Sequence, residues 1–195
     1  LKLITQRFGN RMRVANSAGC THIWGGSPEI PYCTDERGHG VAWASGLFED
    51  TAEYGYGMYL GTKAVRKWLK AQVDELVEKT SDENLKSAAK EWADSYMVAD
   101  GTRERADKFI AAMEAAGVDS DETLKAIYNR KDYLVKQSQW IVGGDGWAYD
   151  IGYSGLDHVI ASGEDVNIIC VDTEVYSNTG GQSSKATPTA ASAQF

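Results

Sequence analysis

Gly143-Gly144-Asp145-Gly146-Trp147-Ala148-Tyr149-Asp150-Ile151-Gly152, and further on Val171-Asp172-Thr173-Glu174-Val175-Tyr176-Ser177-Asn178-Thr179-Gly180-Gly181-Gln182, are the two segments on which the reading of this chain turns. The first is a glycine turn that holds one carboxylate. The apolar, β-branched run Val166–Val171 lies between them and reads as a buried strand. Residues 155–161 predict a helix ahead of it, and Trp140-Ile141-Val142 a strand ahead of the turn. The order is therefore strand, glycine turn, helix, strand, polar loop. Two polar loops that each follow a strand lie on one edge of a parallel sheet, the edge at which open α/β sheets bind ligands. The expected fold class is α/β, with a doubly wound, mainly parallel sheet.

An isolated aspartate in such a turn, facing a loop of hydroxyls and amides, suits a magnesium-diphosphate. Mg²⁺ takes hard oxygens in an octahedron, one or two from protein carboxylates and the rest from phosphate, carbonyl and water. The alternative is an ordinary β-turn aspartate beside glycine. Gly144, Gly146 and Trp147 can offer backbone N–H groups to an anion at a helix start; the plainer reading is a tight turn.

The rest of the chain bounds the classes of function. Its 195 residues suit one domain or most of one, and 43% hydrophobic with 25% charged residues is ordinary for a water-exposed fold with a core. The formal charge is −8, and no basic cluster occurs beyond Lys63–Lys70, which argues against nucleic acid as a partner. No apolar run reaches a membrane span, so no membrane role is expected. Three cysteines, Cys20, Cys33 and Cys170, form no short pair and predict no disulfide framework; a reducing compartment fits better, and the expected location is cytoplasmic. The chain opens in mid-pattern without a start methionine and stops at Ala193-Gln194-Phe195, read as inside a helix. It is expected to be one incomplete domain, residues 1–195, from a longer polypeptide.

Leu3, Ile4 and Phe8 predict a first helix, and residues 11–16 a strand running into the loop Ser17-Ala18-Gly19-Cys20. Residues 24–46 read as a long ordered loop anchored by Trp24, Tyr32 and Trp43. Residues 49–60 predict a helix packed closely on the sheet. Apolar spacing from Thr62 to Leu76 is helical. Further helices are expected after a cap at Ser81 or Asp82, with Leu85, Ala88, Trp92 and Tyr96 on the apolar face, from about Thr102 to Ala116 with Gly117 as its stop, and from about Ser120, carrying Leu124, Ile127, Tyr128 and Leu134. Together, residues 62–139 read as a helical insertion. Ser183–Ala191 begins another helix or loop.

The wording of the two opening segments, extended by Ser183-Ser184-Lys185-Ala186-Thr187-Pro188, resembles the thiamine diphosphate-binding C-terminal domain of pyruvate:ferredoxin (flavodoxin) oxidoreductases. Ala18-Gly19-Cys20-Thr21-His22-Ile23-Trp24-Gly25-Gly26 and Leu47-Phe48-Glu49-Asp50-Thr51-Ala52-Glu53-Tyr54-Gly55 carry the likeness to the other end of the chain. The resemblance implies oxidative decarboxylation of pyruvate with coenzyme A to acetyl-CoA and CO₂. Electrons would pass to an iron–sulfur cluster and on to ferredoxin or flavodoxin. It implies that Asp145 (carboxylate), Thr173 (hydroxyl) and Val175 (carbonyl) ligate Mg²⁺. Gly144, Asp145, Gly146, Trp147, Thr173, Val175, Ser177 and Asn178 would bind thiamine diphosphate, Asn178 near the diphosphate or the reactive carbon; the alternative for Asn178 is a loop residue before Gly180-Gly181. Tyr176, Thr179 and Gln182 are candidate neighbours.

By the same resemblance Cys20 is one thiolate of a 4Fe–4S cluster, with its other ligands outside this chain. Cys33 and Cys170 match no ligand position, and Cys170 reads as core. His22 shapes its loop or donates a proton. Glu49, Asp50 and Glu53 are a paired-carboxylate site or charges favourable in a first helical turn. The glutamate that activates the aminopyrimidine is expected in another domain, so this chain alone is expected to be inactive. Its partners would be the remaining domains of a homodimeric parent. The alternatives are another 2-oxoacid oxidoreductase, a non-oxidative decarboxylase, or a non-catalytic diphosphate-binding fragment; a hydrogenosome-like organelle is the alternative location.

Overall fold

The structure, a computed structural model, describes residues 1–25 and 34–194, without the side chains of Cys20 and Trp24. In chain order its elements are α1 (Lys2–Phe8), β1 (Met12–Ser17), α2 (Cys20–Gly25), β2 (Ala42–Gly46), α3 (Thr51–Lys79), α4 (Glu83–Asp94), α5 (Thr102–Ala116), α6 (Glu122–Tyr128), β3 (Ser138–Gly144), α7 (Tyr153–Ser162), β4 (Val166–Val171), β5 (Val175–Tyr176) and β6 (Gln182–Ser183). A π-helical turn, Gly146–Ile151, joins β3 to α7. Two compact units result: residues 1–59 with 138–195, and residues 60–137.

The first unit is the expected α/β fold. Its four strands run in the order β2-β1-β3-β4, all parallel. The strand order reverses between β1 and β3, which makes their C-terminal ends a switch point of the doubly wound kind. Alternation along the strands feeds two apolar layers. Met12, Val14 and Val142 face one side with Leu1, Ile4, Trp43 and Trp140, while Ile141 faces the other with Ala52, Trp147, Leu156 and Val159. On that second face α3 approaches so closely that a Cβ on Gly55 would stand 2.5 Å from the Ile141 side chain and 2.9 Å from that of Ala15.

Three expectations need correction. Residues 24–46 are not loop throughout, because β2 occupies Ala42–Gly46 and pairs with β1 from Arg13↔Ala42 to Ser17↔Gly46. Its Ala-Trp-Ala-Ser-Gly sequence has no apolar alternation; pairing with β1, not propensity, makes it a strand. The helical patterns 49–60 and 62–76 are one helix, α3, unbroken at Gly61. Ala193 and Gln194 are not inside a helix: after Ser183 the described residues take the loop alternative, β5 and β6 form a short antiparallel hairpin, and the Gln194 N–H returns to Gly181 O at 2.8 Å. Tyr32 and Cys33 lie outside the described residues, and so do the side chains of Trp24 and Cys20.

The second unit is helical. Leu85, Ala88, Ala89, Trp92 and Ala93 form the buried face of α4, which Asp82 caps by accepting the Asn84 and Leu85 N–H groups at 2.9 and 3.0 Å. α5 contributes Ala106, Phe109 and Met113, and stops at Gly117, whose φ is 85°. Leu134, expected on the helix with Leu124 and Ile127, follows it in a 3-10 turn and is also buried. One charge sits in this core. Arg66, 5% exposed, donates to the carbonyls of Tyr133, Leu134 and Tyr96, and lies 5.7 Å from the centre of the Trp92 ring. Burial pushes its guanidinium down to about 10, so it remains a cation at neutral pH. The Leu134 carbonyl also accepts the Trp92 indole N–H at 2.9 Å. The described helices include none long and apolar enough to cross a membrane.

Three outcomes are expected in chemical denaturation. Gly55→Ala costs about 1–3 kcal/mol through overpacking against Ile141 and Ala15, whereas Gly57→Ala on the same helix gains up to about 1 kcal/mol, since a Cβ there meets nothing within 4 Å. Arg66→Ala costs about 3 kcal/mol or more, because three carbonyls lose their charged donor.

Candidate functional site

The register of β3 against β4 builds the site. Gly144 pairs with Val171, so the residues that follow leave the sheet edge side by side. Asp145 starts the π-helical turn and is 1% exposed. Thr173, just past β4, donates its N–H to Asp145 Oδ1 at 3.1 Å. The Thr173 hydroxyl oxygen lies 3.2 Å from the same Oδ1 and 3.1 Å from the Val175 carbonyl. A hydroxyl has one proton and cannot serve both acceptors at once. Three hard oxygens, one of them a carboxylate's, thus stand about 3 Å apart with one hydroxyl proton and the Thr173 N–H to serve them. Spacings of this size match an edge of an Mg²⁺ octahedron, about 3 Å for metal–oxygen bonds of about 2.1 Å.

Glu174 bends the loop so that Val175 turns its carbonyl to Thr173. It is a non-glycine residue at φ 64°, the left-handed region, which costs of order 1 kcal/mol. Its N–H donates to Asp172 Oδ1 at 2.8 Å and its carbonyl accepts the Thr187 hydroxyl. These contacts hold the unfavourable conformation in place.

The glycines of the opening segment divide by role. The Trp147 indole, fully buried, is clamped between Gly143 and Gly152: a Cβ would come within 2.2 Å of its ring at the first and 2.3 Å at the second. Gly146 lies under the Tyr176 ring, which a Cβ would approach to 2.4 Å. Gly144 differs, since a Cβ there would meet only the Val171 carbonyl at 3.7 Å. The turn opens a helix, as expected, and the helix is widened to the π form, with Gly152 N–H on Trp147 O at 2.9 Å.

A second group of contacts escaped the sequence reading. Asp150 accepts the Tyr176 hydroxyl at 2.9 Å and the Lys185 N–H at 3.3 Å. Burial, with the bonded carboxylate, pushes the Tyr176 phenol up to about 12, so it stays protonated. Ser184 donates its hydroxyl to Asp145 Oδ2. The hydroxyl-rich Ser-Ser-Lys-Ala-Thr run was the available signal for Ser184; nothing in residue type marked Asp150.

The other expected residues fall as follows. Ser177 and Asn178 are exposed in the loop between β5 and β6. Gly181 in that loop has a φ of 78°. Cys170 is half-buried, packs against the core layer of Ile141 and Trp147, and is hydrogen-bonded to Tyr149; burial pushes its thiol up, which keeps it a poor nucleophile. His22 Nδ1 lies 2.7 Å from Ser45 Oγ, a contact that ties α2 to β2. The Glu53 carboxylate lies against Gly155, where a Cβ would come within 2.2 Å of it, and Asp50 Oδ1 lies over Gly46. The backbone at Gly19–Cys20 reaches the same sheet edge as the hairpin, because the Phe48 ring, on which a Gly19 Cβ would close to 3.1 Å, also stacks edge-on to Tyr176 at 6.2 Å.

No family model matches the chain. Individual proteins do. The pyruvate-flavodoxin oxidoreductase of Klebsiella pneumoniae is 54% identical over 195 residues, which is 100% of this chain and 17% of that protein. The pyruvate:ferredoxin oxidoreductase of Moorella thermoacetica is 51% identical over 201 residues, again 100% of this chain and 17% of the relative. The mitochondrial pyruvate dehydrogenase (NADP⁺) of Euglena gracilis is 45% identical over 197 residues, 11% of its own length. The chain spans less than a fifth of each of these relatives. From end to end the chain is thus 45–54% identical to one segment of each of these three larger relatives.

Proposed function

We propose that Asp145 Oδ1, Thr173 Oγ1 and the Val175 carbonyl hold Mg²⁺ on the diphosphate of thiamine diphosphate. The chain would then be the diphosphate-binding part of a 2-oxoacid oxidoreductase acting on pyruvate. The three neighbouring oxygens, served only by one hydroxyl proton and the Thr173 N–H, carry this reading, since a hard divalent cation removes their mutual repulsion. The open space over Gly144 supports it too: it is a cradle that an alanine Cβ would fill, beside the N–H groups of the first π-helical turn. One carboxylate, one hydroxyl and one carbonyl leave coordination positions for phosphate oxygens and water.

When bound, thiamine diphosphate supplies the stabilised carbanion that decarboxylation of a 2-oxoacid needs. The chain's own part is to bind and orient. Asp145 and Thr173 fix the cation, Glu174 aims the Val175 carbonyl, and Trp147 wedges the turn between Gly143 and Gly152. Asn178 and Ser177 are proposed as further contacts to the cofactor from the β5–β6 loop, Asn178 nearest the chemistry. Cys20 is proposed as one ligand of a 4Fe–4S cluster whose other ligands lie elsewhere in the protein. Coenzyme A as acyl acceptor, ferredoxin or flavodoxin as electron acceptor and a cytoplasmic setting complete the reading.

Calorimetry of Mg²⁺ and thiamine diphosphate binding to the full-length protein tests it. Asp145→Ala is expected to weaken binding about a hundredfold, or about 2.7 kcal/mol. Equal binding by the two proteins refutes the assignment of Asp145.

A further inference from the structure

The two oxygens of the Asp145 carboxylate are held differently. Oδ1 takes the Thr173 N–H and faces the Thr173 hydroxyl and, through it, the Val175 carbonyl. Oδ2 takes the Ser184 hydroxyl. That hydroxyl is itself fixed in place. It accepts the Ala186 N–H at 3.2 Å, while the Ser184 N–H donates to Thr187 Oγ1 at 2.8 Å. The Thr187 hydroxyl donates in turn to the carbonyl of Glu174, between Thr173 and Val175. One short turn after β6 thus braces the carboxylate on one side and the metal loop on the other.

We propose that Ser184 is a positioning residue that sets which divalent cation the site accepts. The inference rests on the reading of Asp145, Thr173 and Val175 as a metal site. Mg²⁺ takes one oxygen from each carboxylate in a strict octahedron, whereas Ca²⁺ takes six to eight oxygens and readily uses both oxygens of a carboxylate. With Oδ2 tied to Ser184, Asp145 offers Oδ1 alone, which suits the smaller ion. Without the Ser184 hydroxyl, Oδ2 is free to turn towards the cation, and the larger ion gains more from it.

The experiment is calorimetric titration of the full-length protein with Mg²⁺ and, separately, with Ca²⁺, each at saturating thiamine diphosphate. Ser184→Ala is expected to raise the ratio of Ca²⁺ to Mg²⁺ affinity at least about fivefold. Ser184→Thr, which keeps the hydroxyl, is expected to hold the wild-type ratio. Should Ser184→Ala not fold, Ser184→Cys, a weaker donor of similar shape, carries the same test. Parallel weakening of both metals, with the ratio unchanged, marks Ser184 as a structural brace and overturns the inference. A wild-type protein that binds neither metal in the presence of thiamine diphosphate overturns the underlying reading instead.

Discussion

A carboxylate removed from water must find donors, and in this chain that requirement shapes the whole ligand edge. Asp145 is buried, yet it sits at the end of a strand, where the backbone turns away and leaves its side chain among other loops. Its donors come from Thr173 and Ser184, residues 28 and 39 positions further on. Satisfying one buried charge therefore draws the loop after β4 and the turn after β6 to a single point. The contacts that do so leave Oδ1 beside two further oxygens, with one hydroxyl proton among three acceptors. The arrangement that satisfies the carboxylate is the one that presents it to a cation.

Close approach of backbone to ring is the second constraint. Trp147 fills the space between Gly143 and Gly152, and Tyr176 covers Gly146. Large aromatic groups thus replace the side chains that the glycines lack, and the turn is rigid because it is packed, although its sequence looks flexible. Gly55 does the same for α3 against Ala15 and Ile141. Gly55, Gly143, Gly146, Gly152 and Gly155 are places where something else occupies the volume of a side chain.

The unit of residues 60–137 obeys a different rule. Its core holds one buried charge, Arg66, whose guanidinium gathers three carbonyls near the ends of helices and turns. A fork of fixed donors suits such a cluster better than an ammonium does. The charge orders the backbone between α4 and α5 and the segment after α6, where hydrogen bonds within helices run out.

Much of this was legible in the chain itself. The period of Leu85, Ala88 and Trp92, the caps at Asp82 and Gly117, and the β-branched run Val166–Val171 are local patterns, and local patterns survive reading without coordinates. Asp145, Thr173 and Val175 were singled out through the wording of their segments, and Cys20 likewise. Tertiary structure decided the rest. β2 is a strand only because β1 lies beside it, and the two predicted halves of α3 are one helix that runs straight through Gly61. Ser184 meets Asp145 across 39 residues, and Asp150 meets Tyr176 across 26. Such pairings follow from parallel register and hairpin closure, which no periodicity in the sequence encodes. The sequence by itself determined the fold class and named the oxygens of the candidate site. Only the folded chain decided which oxygen of Asp145 faces that site, because that choice belongs to a hydroxyl on a distant turn.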